Sequence, residues 1–147
     1  MIKKILIFLS FLCVLVPTHA SSPGDMLFGK WKVVAMLDPL PILGSDENGE
    51  KHAIGKYLII NQNEVHFQKK IGLLPIFTES RYDTLDYFYN GKGFRNMDPT
   101  NLHLPEMVTE IDIEYKNAMG VHSVYIQSKN SIVFLWRGFF YKAIRAK

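Results

Sequence analysis

Between Val108 and Arg145 four β-patterned stretches follow one another with only turn residues between them. Val108 to Tyr115 alternates cleanly: Thr109, Ile111, Ile113 and Tyr115 fall on one side, Glu110, Asp112 and Glu114 on the other. Val121 to Gln127 comes after an Asn117 to Gly120 turn. Ser131 to Trp136 is almost wholly apolar, the pattern of a strand covered on both faces. Phe139 to Arg145 follows a tight turn near Arg137-Gly138. Apolar runs this short, punctuated this often, are too brief for helices and pair most simply with their sequence neighbours.

The upstream half adds strands spaced farther apart. Phe28 to Leu37 puts Trp31, Val33, Ala35 and Leu37 on one side and Lys30 and Lys32 on the other, and Asp38-Pro39 ends it. Lys56 to Asn61 and Glu64 to Lys69 read as a hairpin, and Pro75 to Glu79 as a short strand. Ser45 to Ile54 carries helix start and stop signals, with Ser45 as N-cap and Gly55 as C′ residue. Ser80 to Tyr89 fits helix or strand. Gly91 to Pro105 is the longest irregular segment, a length that points to function or poor order. These elements predict a mainly β chain: a single antiparallel up-and-down barrel of about 7–8 strands with one or two short helices.

Residues 1–20 have the layout of a removable secretory signal. Lys3 and Lys4 lead, Ile5 to Val16 is apolar, and Thr18-His19-Ala20 offers small residues for cleavage. The apolar run is too short to span a bilayer, which takes roughly 20 residues. The expectation is therefore an exported, periplasmic or secreted domain over residues 21–147, with no stable membrane span after cleavage. The only cysteine, Cys13, leaves with the leader, so disulfides and thiol chemistry are not expected in the mature chain. Setting aside Lys3 and Lys4 leaves 15 basic against 14 acidic residues, too balanced and too scattered for nucleic acid.

Gly29-x-Trp31 at the head of the first strand and Arg145 near the end of the last resemble the pattern of the calycin group, the lipocalins and their shorter bacterial relatives. That resemblance implies that the tryptophan closes the barrel base with the arginine across its ring, a structural role rather than a ligand contact. A guanidinium over an indole is worth ~0.5–2 kcal/mol. Asp86-Tyr87 resembles a second lipocalin motif, but it comes early and with Leu85 interrupting the order. The succession of Gly-x-Trp, Ile54-Gly55-Lys56, Leu102-His103-Leu104-Pro105 and Gly138-Phe139-Phe140-Tyr141 is also similar to small exported bacterial proteins, which adds location and no chemistry.

No catalytic constellation is readable. The serines lack a nucleophile-elbow context, His52, His66, His103 and His122 have no metal-ligand spacing, and Glu110, Asp112 and Glu114 read as a solvated strand face. Neither a cofactor nor a metal is expected. The leading expectation is a non-enzymatic binding protein of the bacterial envelope. It would hold a small apolar molecule in a barrel pocket lined by Tyr115, His122, Phe134 and Tyr141, with His122 pointing inward beside Val124 and Ile126. The alternative is a protein-binding inhibitor or immunity factor that meets a secreted or periplasmic enzyme through loops carrying Leu40, Ile42, Phe94 and Met97. The oligomeric state is left open by the sequence.

Overall fold

The computed structural model describes residues 23–39, 51–91 and 97–147. The expected leader, the start of the Ser45–Ile54 helix and three of the proposed loop anchors (Leu40, Ile42 and Phe94) lie outside the described residues. Nine strands form one curled antiparallel sheet, a half-barrel: β1 (Gly29–Pro39), β2 (Tyr57–Ile60), β3 (Glu64–Phe67), β4 (Lys70–Leu73), β5 (Ile76–Asp83), β6 (Met107–Glu114), β7 (Ser123–Ser128), β8 (Ser131–Trp136) and β9 (Phe139–Arg145). Their spatial order is β4-β3-β2-β1-β9-β8-β7-β6-β5, so every ladder joins sequence neighbours except that between β1 and β9. Among the described residues β4 and β5 share no ladder, and the sheet is therefore not the fully paired barrel of 7–8 strands that the sequence suggests.

The extra strand comes from a bend. Eight antiparallel steps separate β4 from β5 around the sheet, which gives the two the same direction. Only Leu74 and Pro75 lie between them, and Leu74 is left-handed at φ 50°. Residues 70–83 thus behave as one long strand with a corner: the part before it pairs with β3, the part after it with β6. Past the last β6 ladder residue the chain crosses to β4. Lys116 N–H donates to Leu73 O (3.1 Å), and the Asn117 amide donates to Ile71 O (2.7 Å) while accepting from Leu73 N–H (2.7 Å). Gly72 is required there, because a Cβ would lie 2.3 Å from the Tyr115 ring.

The concave face holds the main core, with Trp31, Val33, Leu58, Ile60, Val65, Phe67, Ile111, Ile113, Phe134, Trp136 and Tyr141 all buried. Phe67 stands at the centre, edge-on to Phe134 (5.2 Å) and to Trp136 (5.0 Å). A second core lies on the convex face of β6–β9. There the chain between β5 and β6 returns across the sheet, through a π-helical turn at Asp86–Asn90 and a 3-10 turn at Thr100–Leu102, and buries Phe88, Met97 and Leu102 against Val108, Tyr125, Val133 and Phe140.

Residues 80–89, ambiguous in sequence, are divided: β5 runs to Asp83 and the helical turn begins after it. β1 departs from strict alternation through register shifts after Val33 and after Met36. A bulge moves one residue out of step, so Met36 joins the concave core and Leu37 the convex one, where alternation had put Leu37 with Trp31. The β8–β9 hairpin turns on Arg137 (φ 50°) and Gly138 (φ 84°), the doubly left-handed pattern that suits the twist of paired strands.

Candidate functional site

Pairing of β1 with β9 sets Trp31 directly opposite Arg145. The Trp31 ring is 1% exposed, and its Nε1–H donates to Leu27 O at 2.7 Å. Above it lies the guanidinium, 4.1 Å from the ring centroid. Nη1 donates to Phe28 O (2.9 Å) and Nη2 to Met26 O (2.7 Å), which ties the segment before β1 to the last strand. Gly29, at φ 134°, passes so close that a Cβ would stand 3.0 Å from Nη1. Gly29, Trp31 and Arg145 are thus brought into one stacked unit at the base of the half-barrel.

Beside this unit opens a cleft of about 410 Å³. Its apolar wall is Trp31, Ile126 and Met26, and its polar rim is Asp25, Ser128, Lys129 and Arg145. Arg145 bonds to carbonyl oxygens, so its positive charge is not cancelled by those two bonds. Ligand pockets usually occupy about 300–1,000 Å³, a range this cleft enters.

The four residues expected to line an internal pocket fall into two separate pairs. Phe134 and Tyr141 are fully buried neighbours on β8 and β9, ring centroids 5.6 Å apart, inside the concave core. Tyr115 and His122 meet at the β6–β7 turn with rings 5.6 Å apart. The Tyr115 hydroxyl donates to Val121 O at 2.6 Å, and burial, reinforced by the Asp112 charge, pushes its pKa up. His122 is exposed, with Nδ1 3.2 Å from Ile113 O, rather than pointing inward. β7 begins at Ser123, which leaves His122 on the turn and out of the strand alternation.

Met97, expected as an exposed loop anchor, is 8% exposed and packs in the convex core. Glu110, expected on a solvated face, is 7% exposed. The covering segment supplies its partner: the Tyr87 hydroxyl lies 3.1 Å from both carboxylate oxygens. Tyr82 stacks on Tyr87 at 4.6 Å, and the Tyr125 ring stands 6.2 Å away. Burial, with the Glu110 charge adding to it, holds the Tyr87 pKa up at about 12 and drives that of Tyr125 higher still. Alternation could not reveal this knot, since it labels the face of Glu110 without saying what covers that face.

A second, smaller cleft of about 280 Å³ sits between the end of β5 and the 99–106 segment, where Asp83, His103 and Glu106 share a wall with Leu85 and Leu104. His103 is left-handed at φ 49°. Among the described residues no group of three or more His, Asp or Glu side chains is placed to hold a metal ion. No described helix is long and apolar enough to cross a membrane. The half-barrel is compatible with a calycin-like fold, but no family model, curated protein or solved structure matches this chain significantly.

Proposed function

We propose that this chain is an exported, non-enzymatic binding protein of the bacterial envelope that takes a small apolar molecule with an acidic head. The ligand would lie in the cleft beside Trp31, its tail against Ile126 and Met26 and its head toward Lys129 and Arg145. One observation carries this reading: the 410 Å³ cleft joins an apolar wall to a rim with two cationic side chains, Lys129 and Arg145, against one carboxylate, Asp25. The concave core offers a poorer pocket, because Phe67, Phe134, Trp136 and Tyr141 fill it by packing on one another. The Trp31–Arg145 stack supports the calycin reading of the fold, and the leader at residues 1–20 supports export.

Dodecanoate, titrated by calorimetry into the chain from Ser21 onward, tests the proposal. Saturable 1:1 binding is expected with a Kd on the order of 1–10 µM. Lys129→Glu reverses one rim charge on an exposed turn and should weaken binding about tenfold, ~1.4 kcal/mol. Absence of saturable binding, or binding unaffected by Lys129→Glu, refutes the cleft as the site.

A further inference from the structure

β5 is an eight-residue strand paired on one side only. Its ladder to β6 runs over its whole length, from Ile76↔Glu114 to Asp83↔Met107. On the other side β3 stops with the β4 ladder, before the Leu74–Pro75 corner. Among the described residues no backbone hydrogen bond reaches that second edge of β5. The Pro23–Met26 turn packs against β5 at Phe77 but, among the described residues, leaves the backbone groups of this edge unpaired, and an unpaired edge of this length is a template for another strand.

We propose that a second copy of this chain fills it, with the two β5 edges pairing antiparallel about Ser80. Side chains directly opposite each other in such a pair point to the same face. For both faces to continue across a two-fold seam, the numbers of opposed residues must then add to an even sum. Three registers centre on the exposed middle of the strand. With Glu79 opposite itself, two carboxylates meet. With Arg81 opposite itself, two guanidinium groups meet, and Glu79 faces the partner's Asp83. Like charges opposed in this way destabilise a sheet.

With Ser80 opposite itself, Glu79 faces the partner's Arg81 and Arg81 faces the partner's Glu79. Thr78 and Tyr82 then pair in the same reciprocal way. Glu79 and Arg81 are both exposed, and among the described residues neither has an ion-pair partner. Charges on an edge usually ward off pairing, but opposite signs two residues apart make this edge complementary to itself. One symmetric contact therefore answers both the unpaired backbone and the two charges.

The contact is small, so a dimer dissociating in the range of roughly 10–100 µM is expected. Sedimentation of the chain from Ser21 onward, at concentrations spanning that range, should show monomer–dimer exchange. Arg81→Glu and Glu79→Arg should each remain monomeric alone, and the two variants mixed should form a heterodimer. Ser80→Cys supplies a second readout, since opposed residues have Cα atoms about 4.5–5.5 Å apart, within disulfide reach. It should cross-link two copies at position 80 under mild oxidation, while Thr78→Cys should not. A chain that stays monomeric throughout, or a dimer indifferent to both charge changes and not cross-linked at position 80, overturns the proposal. Dodecanoate binding reads a different part of the molecule, so either result leaves that test standing.

Discussion

The β1–β4 half and the β6–β9 half are built from the same kind of strand yet meet water differently. In β6–β9 both faces are covered: Ile132 and Phe134 face the concave core, while Val133 and Phe140 pack with Phe88, Met97 and Leu102 of the returning chain, and all four are fully buried. In β2–β4 the concave residues Leu58, Ile60, Val65 and Phe67 are equally buried, but among the described residues the convex side of these three strands has no second layer. Tyr57, Ile59, Ile71 and Leu73 stay 38–45% exposed there. The difference teaches that burial of an outward residue is decided by whether the chain comes back over it, and not by the strand that carries it.

The hardest blow to this contrast falls on the covering layer. Phe88→Ala removes a fully buried ring from the convex core and should cost about 3–5 kcal/mol. Urea unfolding would measure it beside Phe134→Ala from the concave core. Similar losses with one cooperative transition would make the two cores a single unit; a small loss with a reduced urea dependence would make the layer a detachable flap.

Tyr87→Phe should cost less, about 1–3 kcal/mol, because it leaves a buried carboxylate without its donor. Its signature is alkaline. Folding raises the Tyr87 pKa from 10 to about 12, so its stabilising contribution is fully present below pH 10 and is lost as pH climbs toward 12. Thermal unfolding followed between pH 9 and 12 should therefore fall less steeply in the variant, and an unchanged slope would remove Tyr87 from the latch. Smallest of all, Ile59→Thr on the uncovered face should shift stability by no more than ~0.5 kcal/mol. A loss above ~2 kcal/mol would mean that something packs on that face after all.

How much of this could be read beforehand follows the same division. The four C-terminal strands and the turn at Arg137-Gly138 were legible because alternation and turn chemistry are local signals, whereas the placing of Trp31 against Arg145 followed only from the resemblance to the calycin pattern. Even the double coverage of β8 was visible in its unbroken apolar run. β4 was not, since it is four residues long and contains Gly72, whose use is the close approach of Tyr115 from far along the chain. The bulges in β1 broke an alternation that seemed regular. Glu110 was misplaced because its cover, Tyr87, is fixed by tertiary packing alone. The cleft beside Trp31 gathers residues from both ends of the chain and the β7–β8 turn, a convergence that no spacing announces.

Where most sheet edges are sealed peptide to peptide, part of the β4 edge is held by a side chain, the carboxamide of Asn117. Asparagine is among the thermally labile residues of proteins. Loss of ammonia there would leave a carboxylate still able to accept from Leu73 but with nothing to give Ile71, and it would set a negative charge against a carbonyl oxygen. Such a change at one amide on a turn would unpick the join between β4 and the chain beyond β6.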